Sequence, residues 1–257
     1  MKVLITGATS GIAYLTSLTL AERGHDVYLT CHTNKQVKNV QEKVKEYKNI
    51  KVMKVDITKE DDRKKVLDLN VDVLYNHAGI ALGGSIIEAD MDEVRENFEV
   101  NVFSSFRLLQ MVLRQMVEKD SGRIVVMSSL AATVPIPFAG VYSATKASIT
   151  TITKSLQKEL FFMGTNVKVV LIEPGLYHTG FNQVFLDNKY NNGPYFKDIK
   201  KELYNVEHFL FKIMEKKDLS SIAVQIVRGI EDKKPKSVYR APLSNAFIAK
   251  LYSIFKR

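Results

Sequence analysis

Tryptophan is absent from this chain of 257 residues, and cysteine occurs once, at Cys31. A lone cysteine excludes an internal disulfide, so packing alone must hold the fold, and a cytoplasmic setting is expected. Long apolar runs are missing too. No stretch approaches the roughly 20 residues needed to span a bilayer. The opening MKVLITG stops its apolar run at Thr6 and Gly7, too soon for a secretory leader. The five histidines, at 25, 32, 77, 178 and 208, form no HExxH or other metal-spaced pair, so no metal site is expected. The net charge is +9, yet the lysines are scattered through 35–54, 59–65, 197–201, 212–217, 233–236 and the tail. No dense basic block is interleaved with aromatics, which argues against a nucleic-acid partner. A solvated basic surface with a leaning toward phosphate-bearing ligands is the reading.

What is present is ordinary globular material, 46% hydrophobic and 25% charged, enough for one sizeable core. Short apolar runs recur at 2–7, 26–32, 50–56, 71–79, 122–129, 167–175 and 237–242. Helical patterns separate them, the clearest at 12–23, 90–118, 142–163 and 219–231. Near-continuous apolar strands alternating with helices predict an α/β fold. The form expected is a three-layer, doubly wound, parallel seven-stranded sheet of Rossmann type in a single domain spanning 1–257. Residues 180–217 lack a clean period and read as an insertion. Residues 244–256 read as a C-terminal amphipathic helix that packs on its own domain.

Ligands of such sheets bind beyond the carboxyl ends of the strands. The first strand runs into TGATSGIA, where Gly7 and Gly11 allow a tight turn and close approach of a phosphate to a helix N-terminus. Ala13 stands where such turns often carry a third glycine, and it is small enough for close helix–strand packing. YSATK, at 142–146, places a phenol and an ammonium four residues apart on one helix face. A free tyrosine titrates near pH 10, too high for easy proton exchange at neutrality, and a neighbouring cation lowers that value. Lys146 is expected to do so for Tyr142. Ser129, at the end of the fifth strand, can bind a substrate oxygen beside the phenol.

Taken in order, TGATSGI, Asp56, NHAG, Asn101, Ser129, YSATK and PGLYHT resemble the short-chain dehydrogenase/reductase family over residues 1 to about 180. The resemblance implies a nicotinamide cofactor and an oxidoreductase that interconverts a carbonyl and an alcohol. Tyr142 is implied as general acid or base, and Lys146 as the residue that tunes it and binds the nicotinamide ribose. Ser129 would stabilise the substrate oxygen, and Asn101 would support a water-linked proton path. The implied cofactor contacts come from Gly7, Thr9, Ser10, Gly11 and Ile12 in the glycine turn. Asp56 and Ile57 would lie at the adenine, and Asn76, Ala78 and Gly79 beside the adenosine ribose. Pro174, Gly175, Tyr177 and Thr179 would lie near the carboxamide. Two positions depart from the family pattern: His77 replaces an asparagine and is expected to be a buried, hydrogen-bonded histidine, and Tyr177 replaces Val or Ile.

NADP is favoured over NAD, because the second strand ends in Cys31 and His32 with no carboxylate to repel a 2′-phosphate, and Lys35 is close in sequence. Phe181, Val184, Phe185, Leu186, Tyr190, Tyr195 and Phe196 point to a small, hydrophobic carbonyl or alcohol substrate under a closing lid. A homodimer or homotetramer is expected through the two long helices, with Ile149, Ile152, Leu156, Leu160 and Phe161 on the pairing face. The rival reading is a non-catalytic dinucleotide sensor of the same fold, which would not need Ser129, Tyr142 and Lys146 together.

Overall fold

The computed structural model describes residues 1–181, 195–199, 201–205, 208–209 and 215–242. Seven parallel strands form one sheet: β1 (Lys2–Ile5), β2 (Asp26–Cys31), β3 (Ile50–Lys54), β4 (Val73–Asn76), β5 (Arg123–Met127), β6 (Lys168–Pro174) and β7 (Val238–Ala241). Their order is β3-β2-β1-β4-β5-β6-β7. The chain therefore reverses its direction of travel between β1 and β4, which opens a crevice above their carboxyl ends.

The helices are α1 (Gly11–Glu22), α2 (Asn34–Lys43), α3 (Glu60–Leu67), α4 (Met91–Phe98), α5 (Ser105–Glu118), α6 (Gly140–Met163) and α7 (Ser220–Glu231). Two cores result, one on each sheet face. Leu20 of α1, Val40 of α2 and Ile226 of α7 pack with Val3, Leu29 and Tyr75 on one face. Val66 of α3, Leu108 of α5 and Ile149 of α6 pack with Leu4, Leu74 and Ile124 on the other. Adjacent strand residues thus feed opposite layers, as the pleat requires. This is the three-layer single domain expected from the alternating pattern. No described helix is long and apolar enough to cross a membrane.

Three boundaries differ from those that periodicity predicts. The strands are shorter, since their last apolar residues turn into site loops. The long helix expected over 90–118 is interrupted: a π-helical turn, Glu99–Ser104, separates α4 from α5. Such wide turns occur mostly at functional sites, and periodicity alone cannot show one extra residue in a turn. Finally, α6 starts at Gly140, so Tyr142 lies in its first turn. The C-terminal helix and Val184, Phe185, Leu186 and Tyr190 fall outside the described residues, as does most of the lid. Tyr177 and Lys216 form a parallel β-bridge.

Candidate active site

The glycine turn stands where its spacing predicts. Gly7 has φ +69° and Gly11 φ +62°, a region that favours glycine. A side chain at Gly7 would meet the Ala78 backbone at 2.9 Å, and one at Gly11 would meet Thr179 at 3.1 Å. Parts of the chain far apart in sequence thus close on this turn. Ser10 precedes α1 in an extended conformation, and its side chain caps no N–H. The first-turn amides of α1 are left to an external acceptor, which suits a pyrophosphate.

On the other side of the crevice, Ser129 and Tyr142 meet. β5 ends at Met127, and Ser129 opens a short 3₁₀ turn in which its Oγ accepts from Ala131 N at 3.1 Å. The Ser129 hydroxyl also hydrogen-bonds the Tyr142 phenol. Lys146, one helical turn on, is 5% exposed. Its Nζ donates to Met127 O at 3.2 Å and sits 5.8 Å from the centroid of the Tyr142 ring. A side chain at Gly79 would meet Asn101 Oδ1 at 3.0 Å and Lys146 Nζ at 3.6 Å, so these groups share one wall.

Asn101 rides on the π-helical turn. Its Oδ1 accepts from Ile80 N at 2.8 Å, while Nδ2 donates to Ile80 O at 2.8 Å and to Thr145 Oγ1 at 3.1 Å. Thr145 in turn donates to Tyr142 O at 2.7 Å. The wide turn moves Asn101 inward to brace both the loop after β4 and the first turn of α6.

The electrostatics correct one expectation. Burial pushes the Tyr142 phenol up, and the Ser129 hydrogen bond opposes that without overcoming it. Lys146 does not lower it in the protein alone. Burial acts on the cation as well and pushes Lys146 down to about 8. Both groups favour their neutral forms because both have left water.

Other predicted residues divide. Ile57 is 6% exposed and packs in the core on the α3, α5 and α6 face of the sheet. Asn76 turns its side chain away from the crevice and donates from Nδ2 to Ser105 Oγ at 2.9 Å, tying β4 to α5. Burial opposes the charge of Asp56, but hydrogen bonds from Thr58 hold its carboxyl below the usual range, helped by His32 and Lys54. His32 Nε2 lies 3.4 Å from Asp56 Oδ2, so the histidine just past β2 faces the Asp56 carboxylate. Lys35 is exposed in the first turn of α2. Gly175 N, just past Pro174, donates to Ala241 O at 2.8 Å. Tyr177 is buried, and its hydroxyl hydrogen-bonds Ser221 at the start of α7, so its side chain anchors the loop. His77 meets the expectation of a hydrogen-bonded histidine only in part: the Thr6 backbone hydrogen-bonds its ring, while Nδ1 is buried without a hydrogen-bond partner.

One aromatic ring lies beside that of Tyr142, and other apolar groups gather at the start of α6. The Phe181 ring lies 5.6 Å from that of Tyr142, and Phe138 meets Phe196 edge-on at 5.1 Å. Ile86 is 75% exposed, and its end would be struck by a side chain at Gly140. Nothing in the sequence singles out Ile86. It opens a short 3₁₀ turn without periodicity, and only the tertiary fold brings it against Gly140 at the start of α6.

Comparison with known proteins adds three kinds of likeness. Residues 1–189 match the family model for short chain dehydrogenase. A curated relative, the 3-ketodihydrosphingosine reductase of Bacteroides thetaiotaomicron, is 31% identical over 185 residues, 70% of this chain and 65% of that one. The chain thus spans slightly under two thirds of that relative. A short chain dehydrogenase/reductase from Burkholderia phymatum, solved in complex with NAD, superposes with a TM-score of 0.82 at 18% identity, covering 97% of this chain and 92% of that one. A short-chain dehydrogenase from Sphingobium yanoikuyae in complex with NADPH gives 0.76 at 21% identity, covering 99% and 93%. At those identities the two structures establish the fold.

Proposed function

Because this chain belongs to the short-chain dehydrogenase family of oxidoreductases, we propose that it interconverts a carbonyl and an alcohol with a nicotinamide dinucleotide, Tyr142 being its acid–base group. The observation that carries the reading is the Ser129–Tyr142 hydrogen bond at the carboxyl edge of the sheet, across the crevice from an uncapped α1 N-terminus.

The residues present fit the dinucleotide. Gly7, Gly11 and the open amides of α1 suit its phosphates, Asp56 the adenine, and Lys146 with Asn101 the wall beside Gly79. When bound, the nicotinamide supplies or accepts a hydride. The chain's own groups handle the rest. Ser129 donates a hydrogen bond to the substrate oxygen, where negative charge develops during reduction. Tyr142, kept protonated by burial, gives its proton to that same oxygen. Lys146 offsets the negative charge left on the phenol, and it can do so only while protonated. Reduction therefore weakens as pH rises through about 8, the value to which burial lowers the lysine. Asn101 holds Ile80 and Thr145, which fixes the helix turn bearing Tyr142.

NADP is the proposed coenzyme, since β2 ends in Cys31 and His32 with no carboxylate. The substrate class is a hydrophobic carbonyl compound, supported by Phe181 beside the Tyr142 ring and by Ile86 against Gly140 at the start of α6. A second copy of the chain is proposed over α5 and α6. Their outer faces form an open groove of about 400 Å³ lined by Phe106, Leu113, Ile152 and Leu156. Ile149 and Leu160, expected on that face, are buried against the sheet and unavailable to a partner.

The test is NADPH oxidation against a panel of apolar ketones and aldehydes. Tyr142→Phe should cut turnover roughly 10²–10⁴-fold and leave coenzyme binding in place. Coenzyme binding with no turnover on any carbonyl would favour the sensor instead.

A further inference from the structure

The end of β4 holds a side chain that the proposed chemistry leaves unused. His77 N and Ala78 N both donate to Thr6 Oγ1 at 2.9 Å, which pins this segment against the glycine turn. Residues 75 and 77 point to the same side of the sheet, toward the core that α1 and α7 cover. There the Tyr75 and His77 rings meet edge-on, with centroids 5.4 Å apart and planes at 67°. The Tyr75 hydroxyl and His77 Nδ1 are both buried, and neither has a protein partner.

A buried orphan of this kind costs about 1–3 kcal/mol. Native proteins seldom keep one without a water or a ligand to satisfy it. Here the two orphans are complementary. Burial holds the Tyr75 phenol protonated, so it is a donor. Burial and the nearby Lys146 charge push the His77 imidazole down to about 4 against an opposing hydrogen bond with the Thr6 backbone, so it is neutral at working pH, with one N–H and one acceptor nitrogen. If Nδ1 accepts from Tyr75 through one bridging water, the proton resides on Nε2. His77 is only half-buried as a residue, and Nδ1 is its enclosed nitrogen. The Nε2 edge therefore opens at the carboxyl end of β4, between the glycine turn and the Gly79 wall.

We propose that His77 is a neutral hydrogen-bond donor to the bound dinucleotide, set in the Nε2–H tautomer by Tyr75 and aimed at an oxygen of the phosphate–ribose backbone. This rests on the dinucleotide-binding reading above. A cation at this position would repel Lys146. A neutral donor adds a contact without adding charge.

Binding, not turnover, is the test. The chain has no tryptophan, so the emission of NADPH reports its own binding. His77→Phe should raise the NADPH dissociation constant roughly tenfold, and ADP-ribose competition should weaken in parallel. His77→Asn, which keeps a side-chain donor, should stay within about threefold. Tyr75→Phe should weaken binding about two- to threefold by releasing the tautomer. In ¹⁵N spectra of the wild-type histidines, His77 should carry its proton on Nε2, and that resonance should move when NADPH is added. Binding by His77→Phe within twofold of wild type, an Nδ1–H tautomer, or an Nε2 signal indifferent to NADPH each overturns the proposal. The spectra need no variant, so a variant that fails to fold leaves the test standing. Wild type that binds neither NADPH nor NADH would overturn the dinucleotide reading itself, and this inference with it.

Discussion

The two ends of the sheet are built on opposite principles. At the amino ends of the strands, polar groups close on one another. Lys2 N donates to Asp72 Oδ2 at 2.7 Å. Arg23 and His25 both engage Glu231, at 2.7 and 2.8 Å. Asp120 accepts from Thr165 Oγ1, Asn166 N and Asn166 Nδ2 within 2.7 Å. Arg123 donates to the carbonyls of Gly229, Ile230 and Asp232 and so staples α7 to β5. At the carboxyl ends, polar groups are buried and left open. Tyr75 Oη, Asn76 Oδ1, His77 Nδ1, Ser143 Oγ and Glu173 Oε1 are the described side-chain atoms buried without a hydrogen-bond partner, Glu173 Oε1 facing Lys154 Nζ at 3.9 Å, and all lie in or next to the carboxyl-end half. Lys146 is buried there with a depressed pKa, and the left-handed Gly7 and Gly11 stand across the crevice. One end supplies stability. The other retains unsatisfied donors and acceptors that a ligand can complete.

That contrast can be broken by substitution, and the largest effect is expected at Ser129. Ser129→Ala should lower kcat roughly 10²–10³-fold, the usual cost of one donor to a developing oxyanion, with Tm nearly unchanged. An equal loss of stability would mean that the serine is structural. Lys146→Met should separate function from stability: turnover falls sharply while the fold gains. The lysine drops from 10.5 unfolded to about 8 folded. The unfolded chain therefore binds the extra proton between those values, and stability rises with pH across that window. Below it the buried charge costs on the order of 3 kcal/mol. The variant should melt higher than wild type at pH 7, and the gap should close by about pH 10. A lower Tm at pH 7 would show that the Met127 hydrogen bond outweighs the burial cost.

At the amino end the signs reverse. Glu231→Gln should lower Tm and leave kcat of the folded enzyme intact. Hydrogen bonds and charge from Arg23, and then His25, outweigh burial and hold the Glu231 carboxyl below its ordinary value. Its contribution is therefore present above the unfolded carboxylate pKa and is lost as pH falls through the folded one. Melting curves of the two proteins should converge in acid. The smallest effect is expected at the adenine side, where His32→Ala or Lys35→Ala should weaken NADPH more than NADH by roughly fivefold. Equal weakening of both would remove the 2′-phosphate site.

Much of this site is legible in the amino-acid sequence. Gly7 and Gly11 are readable because a turn that brings backbone against phosphate tolerates little else. Tyr142 and Lys146 are readable because four residues are one helical turn. Asn101 is readable by resemblance, but its setting is not: the π-helical turn inserts one residue into an apolar period that still looks helical. Asn76 and Ile57 are expected near the dinucleotide from their sequence neighbours, yet their side chains point into the layers beneath. Neighbours on a strand face opposite ways, and a motif does not say which way. His77 reads as satisfied because buried histidines generally are. Only the packing beside Tyr75 shows that Nδ1 has nothing to accept from.

The sequence by itself determined the layered parallel sheet, the glycine turn and the list of candidate groups at the site, because periodicity and short-range geometry are local properties. The tertiary structure decided what those groups are. Burial, a sum over the whole fold, raises the Tyr142 phenol and lowers the Lys146 ammonium. Contacts spanning Thr6 to Thr179 decide which polar atoms are satisfied and which are left for a ligand.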